Sequence, residues 1–335
     1  MNKKDRKYRK SALVKEMLES VDIIKNFNAK DLEKPIKSIK KTKKLFLSGE
    51  GSSRIFPAKN MINLSLKKNS YFPIYTEGAR QAAELNLKDF TLFGASNSGK
   101  TKEVISLFKN KKANSKFVIT ENPETKLKKY SNNAYLLNCG KEKAVSATKS
   151  VVEEALFYQN LLLKLNGKGI SKKTLNELSR KANKILTMKI NNNIIKKLSK
   201  SKVLYFAGRN DGVAEEATLK TNEITRKKSC YLEGTYAVHG IEEAMGRNEA
   251  VILINPFKEE EKKFKEVLVK GVGMEVIAIS SRKTAFPTIK IPSMKDFDGY
   301  LQLLACWNLL VEVGLKLRVN LDKPKRARKI GNELR

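Results

Sequence analysis

Short apolar runs that are typical of buried strands recur along this chain with an offset of 159 residues, as between Leu45 and Leu204. Three pairs of runs keep this spacing and a fourth slips by a few residues: 45–49 with 204–208, 90–93 with 249–252, 117–120 with 276–279, and 134–137 with 288–291. Stretches of helical periodicity separate the runs, the clearest at 148–165. Strands that alternate with helices predict parallel sheets covered on both faces. The predicted fold class is therefore α/β, with two similar tandem domains, each a doubly wound, flavodoxin-like sheet flanked by helices.

The repeat also sets the expected domain boundaries. We expect a first domain at 30–166 and a second at 185–319, joined by a polar segment at 167–173. Residues 1–29 are expected to form a helical segment packed on the outside, and 320–335 a basic tail. Open parallel sheets bind ligands at the carboxyl ends of their strands, so the loops after each run are where functional residues are expected.

Composition excludes several classes of protein. The 335 residues are 41% apolar, which is enough to fill two cores, and no apolar stretch is long enough to span a bilayer or to act as a secretory signal. A cytoplasmic location is therefore expected. The three cysteines form no CxxC pair and there is one histidine, so neither a zinc site nor any other metal is expected, and no cofactor is implied.

The charge balance points to an anionic partner. Lys and Arg number 68 against 35 Asp and Glu, a net charge of +33. Nucleic acid is nevertheless not the expected partner, because the excess of Lys and Arg is spread over helix faces and no basic segment with interleaved aromatic residues, or recognition motif, accompanies it. A small anionic substrate fits the positive electrostatic field of the protein better.

The loop after the second run, 94–101 (GASNSGKT), leads from a strand into a helix through small hydroxylated residues. Free backbone N–H groups at such a helix start attract oxyanions. The loop also satisfies the GxxxxGK[ST] nucleotide motif, but the run at 117–120 is followed by Glu121 and Asn122 rather than by the Asp that would hold magnesium. A P-loop NTPase and an ordinary capped helix start remain alternatives.

An ordered set of motifs resembles the sugar isomerase (SIS) domain family, and most closely the isomerase portion of glucosamine-6-phosphate synthase and the stand-alone sugar-phosphate deaminases. The set spans nearly the whole chain: GSS at 51–53, SNSGKT at 96–101, AVSATK at 144–149, GRNDG at 208–212, EEATLKTNEI at 215–224, EG at 233–234, HG at 239–240 and the tail DKPKRARK at 322–329. The resemblance implies two tandem SIS domains that bind a hexose 6-phosphate and interconvert its aldose and ketose forms.

The resemblance also implies roles for particular residues. Glu223 corresponds to the general base, Lys220 to a cation that stabilises negative charge on the sugar, and His239 to the residue that opens the sugar ring, in some members across a dimer interface. Lys329 corresponds to a tail lysine that reaches the substrate. The implied substrate-binding residues are Ser53, Ser96, Asn97, Ser98, Thr101, Val145 and Ala147.

Simpler interpretations stand beside these roles. Glu223 and Lys220 have the spacing of an exposed i, i+3 salt bridge, and a lone histidine is more often a surface or core residue. The sequence also departs from the family pattern. Asn97 stands where glutamine is usual, Lys100 replaces an acidic residue, and Ala147 occupies a position that often carries serine, while Ser146 sits one place earlier. These departures affect the identity of the substrate more than the class of reaction.

The expected reaction is the conversion of glucosamine 6-phosphate to fructose 6-phosphate and ammonia, or its reverse. The sequence contains no glutamine-hydrolysing domain and no cysteine at position 2, so nitrogen is expected from free ammonia or from a separate glutaminase partner. A homodimer is expected. The competing interpretations are a sugar-amine deglycase on the same fold, a sugar-phosphate sensor without turnover, and the P-loop NTPase.

Overall fold

The first sheet lies in the N-terminal half of the chain. The structure, a computed structural model, describes residues 1–2, 4–69 and 72–327. Five parallel strands form this sheet in the order β2-β1-β3-β4-β5: β1 Leu45–Gly49, β2 Ile74–Gly78, β3 Thr91–Ala95, β4 Ser115–Thr120 and β5 Asn133–Leu136. Strands β1 and β3 are buried along their whole length, because helices cover both faces.

The second sheet repeats the arrangement of the first. Its five parallel strands have the order β7-β6-β8-β9-β10: β6 Val203–Gly208, β7 Lys228–Glu233, β8 Ala250–Ile254, β9 Glu275–Ser280 and β10 Thr288–Lys290. In each sheet the second strand along the chain occupies one edge and the first lies next to it. The predicted α/β class and the two similar parallel sheets are confirmed.

Twelve α-helices surround the strands within the described part of the chain. They are α1 Arg6–Arg9, α2 Ala12–Asn26, α3 Glu33–Thr42, α4 Ile55–Lys67, α5 Ala79–Ala82, α6 Lys102–Asn110, α7 Lys149–Leu165, α8 Lys172–Thr187, α9 Asn192–Lys200, α10 Val213–Thr225, α11 Glu261–Phe264 and α12 Asp298–Lys316. Helix α11 continues as a π-helix, Lys265–Val272, and 3₁₀ turns occur at Gly51–Ser53, Lys126–Tyr130, Tyr236–Val238 and Ile241–Ala244. None of the described helices combines the length and apolar character needed to cross a membrane.

The described chain divides into two compact units. The β1–β5 unit comprises residues 22–142 and 147–177, and the β6–β10 unit comprises 1–21, 143–146 and 178–327. The core of the β1–β5 unit contains a cluster of aromatic rings: Phe93, Phe117, Tyr135, Phe157 and Tyr158. In the β6–β10 unit, α12 is buried along most of its length, and Trp307 is fully enclosed.

Helix α2 lies in the segment expected to form an N-terminal helix. The predicted helix at 12–18 is present, but it extends to Asn26, and both Leu13 and Met17 are completely buried. Its N-terminus is capped by Asp322, whose carboxylate accepts hydrogen bonds from the backbone N–H groups of Ala12 at 2.9 Å and Leu13 at 2.8 Å. The apolar residues of 12–18 thus form the buried face of this helix.

Candidate active site

The hydroxylated loop of the β1–β5 unit forms a tight turn between β3 and α6. Ser96 is buried, and its Oγ lies 2.8 Å from Thr101 Oγ1, while Ser98 Oγ accepts a hydrogen bond from the N–H of Lys100 at 3.2 Å. The predicted residues Ser96, Asn97, Ser98 and Thr101 therefore share one turn at the carboxyl end of a strand. At the N-terminus of α6, where helix geometry directs backbone N–H groups outward, their hydroxyls suit an oxyanion.

The end of β4 and the segment that follows it hold the backbone of this loop. Thr120 Oγ1 donates to the carbonyl of Asn97 at 3.1 Å, and Thr125 Oγ1 donates to the carbonyl of Gly99 at 2.6 Å. Gly99 has φ +66°, and a Cβ placed there would lie 2.6 Å from Thr125 Cβ. The turn therefore needs glycine for both its dihedral angle and its space.

Two buried glutamates organise the surroundings of the loop. Glu142 accepts hydrogen bonds from the N–H of Thr148 at 2.7 Å and from Ser150 Oγ at 2.8 Å, so it caps the start of α7, and Asn97 Nδ2 approaches it at 3.5 Å. Ser53, in the 3₁₀ turn after β1, donates its proton to Glu154 at 3.2 Å. Because its proton is engaged, the Ser53 oxygen can accept a hydrogen bond from a ligand hydroxyl. Sequence analysis identified Ser53 but not the glutamates.

In the β6–β10 unit, Lys220 lies on α10 with no exposed side-chain surface. Its Nζ is 3.1 Å from Glu216 Oε1 and 2.9 Å from Glu223 Oε2. Burial alone would lower the pKa of Lys220, but the two carboxylates raise it, and the net direction is upward. The interpretation of Lys220 and Glu223 as an exposed salt bridge is therefore wrong, because the lysine is fully buried and only 23% of the Glu223 side chain is exposed.

The two carboxylate oxygens of Glu223 have different surroundings. Its Oε2 accepts hydrogen bonds from both Lys220 Nζ and Ser146 Oγ, the latter at 2.8 Å. Its Oε1 has no hydrogen-bond partner among the described residues. Within the described residues, one oxygen is thus held by two donors and the other by none. Sequence analysis missed Ser146 as a partner of Glu223.

Glu223 borders a cleft of about 410 Å³, within the range of small-molecule sites. The other lining residues are Asn222, Arg226, Pro324, Lys325, Arg326 and Ala327. Arg226 has φ +62° and donates through Nη2 to the carbonyl of Asn320 at 2.8 Å, while its Nη1 has no partner among the described residues. Burial lowers the pKa of Arg226, and the nearby Glu223 partly offsets this effect. Three of the residues that line the cleft beside Glu223 are basic, and the lining surface itself is mainly apolar.

The remaining predicted residues are less constrained. His239 follows the 3₁₀ turn after β7, is exposed, and makes no side-chain hydrogen bond to the described residues. Val145 and Ala147 are partly exposed in the segment before α7. Lys329 lies outside the described residues. Within residues 1–2, 4–69 and 72–327, no group of three His, Cys, Asp or Glu side chains is arranged to hold a metal ion.

Comparison with known proteins defines the class of fold. No protein-family model and no curated protein sequence matches this chain. Its structural neighbours are SIS-domain phosphosugar isomerases, which match it over nearly its whole length. At 15–20% sequence identity this likeness establishes the fold, that of two parallel five-stranded sheets flanked by helices.

Three solved structures illustrate the likeness. The C-terminal domain of glucosamine-fructose-6-phosphate aminotransferase from Francisella tularensis has 19% identity and a TM-score of 0.77, over 96% of this chain and 100% of that one. Glucosamine-6-phosphate deaminase from Thermotoga maritima has 20% identity and a TM-score of 0.74, over 95% and 99%. Tagatose-6-phosphate ketose/aldose isomerase from Escherichia coli has 15% identity and a TM-score of 0.78, over 96% and 97%.

Proposed function

We propose that this protein is an aldose–ketose isomerase and deaminase of a hexosamine 6-phosphate. The proposed reaction converts glucosamine 6-phosphate to fructose 6-phosphate and ammonia, or runs in reverse with free ammonia or a separate glutaminase. The observation that carries the proposal is the carboxylate of Glu223, a residue that lines a cleft of suitable size: Lys220 and Ser146 hold Oε2, while Oε1 has no hydrogen-bond partner among the described residues. A fixed carboxylate with one available oxygen is what proton transfer between adjacent carbons requires.

The strand order of the first sheet supports the proposed phosphate site. We propose that both sheets are of the doubly wound, flavodoxin-like kind, in which ligands bind where the strand order reverses. In the β1–β5 unit that point lies between β1 and β3, the two strands that are followed by Ser53 and by the loop at 96–101. Ser96, Ser98 and Thr101 with the start of α6 would bind the phosphate, and Ser53 would bind a sugar hydroxyl.

The proposed chemistry assigns each step to a named group. His239 opens the sugar ring by moving a proton between the ring oxygen and the hydroxyl of carbon 1. Glu223 takes the proton from carbon 2 while water protonates the carbonyl oxygen of carbon 1, which gives an enolamine. Glu223 then returns the proton to carbon 1 and the nitrogen releases a proton to water, which gives a ketimine that water hydrolyses to fructose 6-phosphate and ammonia. The complete burial of Lys220 between two carboxylates favours a role in holding the Glu223 carboxylate in a fixed orientation.

The direct test is incubation with glucosamine 6-phosphate in deuterium oxide, with ammonia, fructose 6-phosphate and deuterium at carbon 1 measured. We expect all three signals from the wild type. Glu223→Gln should lower turnover at least about a thousandfold while substrate still binds, because the general base is lost and the phosphate loop is intact. Turnover by this variant at the wild-type rate would refute the proposal. So would a wild type that introduces deuterium into none of four substrates: glucosamine, galactosamine, fructose and tagatose 6-phosphate.

A second candidate, a sugar-amine deglycase, is favoured by one observation. The cleft beside Glu223 carries Arg226, Lys325 and Arg326 in addition to the proposed base. Guanidinium groups bind carboxylates through paired hydrogen bonds. A substrate whose nitrogen carries a carboxylate-bearing substituent would place an anion in this cleft, and the same proton transfer would then release a substituted amine instead of ammonia.

A further inference from the structure

Helix α2 contributes a buried carboxylate to the neighbourhood of Glu223. Glu16 is 4% exposed, and its Oε1 accepts a hydrogen bond from the backbone N–H of Lys143. The N–H of Ala144 lies 3.4 Å from Oε1 and 3.3 Å from Oε2. All of these residues belong to the β6–β10 unit. One carboxylate thus binds two consecutive backbone N–H groups of the segment 143–146.

That segment has no regular secondary structure of its own. Its backbone N–H groups therefore depend on side chains for hydrogen bonds, and a buried carboxylate is the strongest acceptor available to them. Two residues beyond Ala144, Ser146 is 2% exposed and donates its proton to Glu223 Oε2. A short segment anchored at one end by Glu16 thus ends in the hydroxyl that contacts the proposed base.

We propose that Glu16 is a positioning residue for the proposed reaction: it fixes the segment 143–146 so that Ser146 holds Oε2 of Glu223 and Oε1 is left for the substrate proton. The kinetic part of this inference rests on the proposed function. The resemblance to the SIS family does not account for the contact between Ser146 and Glu223, because the substrate-binding serine of that family corresponds to position 147, which is alanine in this chain. Ser146, one residue earlier, contacts the proposed base instead.

Kinetics provide the first test. We expect Ser146→Ala and Glu16→Gln each to lower kcat about tenfold, with KM changed by less than about twofold, because the base is misplaced while substrate binding is unaffected. The double variant should be no slower than Ser146→Ala, since both changes act on one contact. Glu19→Gln, the same change one turn away on α2 at a more exposed glutamate paired with Lys15, should leave kcat unchanged. A multiplicative loss in the double variant, or an unchanged kcat in Glu16→Gln, would overturn the proposal.

A second test requires no turnover. Carbodiimide coupling of Glu223 to an amine, under native conditions, can be read by mass spectrometry in the tryptic fragment 221–226, which contains Glu223 as its sole carboxyl side chain. Losing the Ser146 hydrogen bond frees the carboxylate, so we expect labelling to rise several-fold in Ser146→Ala and Glu16→Gln, no further in the double variant, and not at all in Glu19→Gln.

The two tests separate the inference from the proposed function. If wild-type protein turns over no sugar phosphate, the proposed function fails, while the labelling rates still decide whether Glu16 acts on Glu223 through Ser146. Unchanged labelling in Glu16→Gln beside raised labelling in Ser146→Ala would refute the inference even in an active enzyme. Should Glu16→Gln fail to fold, Glu16→Asp keeps the charge and shortens the side chain by one methylene, and the same labelling rise is expected.

Discussion

Lys220 shows how one buried cation can serve both stability and the candidate site. Removing it leaves the carboxylates of Glu216 and Glu223 without their common partner, so Lys220→Met is expected to lower the free energy of unfolding by about 3–5 kcal/mol. Because the folded pKa of Lys220 lies above the unfolded value, its contribution is fully present below about pH 10 and is lost only as the pH rises through the folded pKa.

Urea unfolding at pH 7 measures this effect. The double variant Lys220→Met/Glu216→Gln removes one of the two carboxylate charges and is expected to recover about 1–2 kcal/mol of the loss. A double variant no more stable than Lys220→Met would show that packing, and not charge, accounts for the destabilisation.

Arg226 distinguishes the two candidate substrates. It lines the cleft beside Glu223 and has an unpartnered Nη1 among the described residues. Arg226→Met should lower kcat/KM about tenfold or more for a hexosamine 6-phosphate whose nitrogen carries a carboxylate-bearing substituent, and by less than about twofold for glucosamine 6-phosphate. Lys228→Met, the loss of an exposed charge two residues away, controls for net charge. Equal losses of kcat/KM on both substrates would contradict the proposed role of Arg226 and, with it, the argument for the deglycase.

At the scale of elements, the loop between β3 and α6 depends on the conformation of Gly99. Gly99→Ala adds both backbone strain at φ +66° and a Cβ 2.6 Å from Thr125, so the loop must move. We expect the substrate KM and the dissociation constant of inorganic phosphate to rise at least about tenfold, because the oxyanion-binding groups lose their alignment.

A matched control exists in the same unit. Gly140 has φ +64°, but a Cβ there would meet nothing within 4 Å, so Gly140→Ala imposes the strain without the clash. It should cost about 1–2 kcal/mol of stability and leave the phosphate affinity unchanged. Titration calorimetry with phosphate and thermal unfolding of both variants measure the two effects. Equal phosphate affinities in the two variants would contradict the proposed role of the loop.

The strands that could be predicted from the sequence are mainly those buried on both faces. Six of them, β1, β3, β4, β6, β8 and β9, are continuous apolar runs for most of their length. Strands β2 and β7 escaped notice because polar residues interrupt their apolar runs, as in Lys228–Glu233. The edge position alone does not hide a strand, since β5 and β10 also lie at sheet edges and coincide with predicted runs.

A different limit applies to the candidate site. The oxyanion loop could be recognised because its residues are consecutive, and Lys220 with Glu223 because they share a helix face. The contact of Ser146 with Glu223 joins residues 77 apart, and that of Glu16 with Lys143 joins residues 127 apart. Only the fold brings such groups together, so the sequence indicated the chemistry but not the contacts that position it.

For the whole molecule, the duplicated sheets carry different chemistry. The repeat offset of 159 places Glu223 of α10 opposite the buried Leu64 of α4. It also places Ser98 opposite Phe257. The β1–β5 unit therefore has the hydroxylated loop without a counterpart of Glu223, and the β6–β10 unit has the carboxylate without that loop.

His239 is exposed, and its imidazole has no hydrogen-bond partner among the described residues. A role for it in a second copy of the chain can therefore be tested. If the protein is a homodimer in which His239 serves the partner's site, mixing the inactive variants Glu223→Gln and His239→Ala with subunit exchange should restore activity. Half of the randomly formed dimers would be mixed, and each would have one intact site, so about a quarter of wild-type activity is expected. Glu223→Gln mixed with the double variant Glu223→Gln/His239→Ala should restore none. Failure of the first mixture, with exchange verified by native mass spectrometry, would place His239 in the site of its own chain or outside the chemistry.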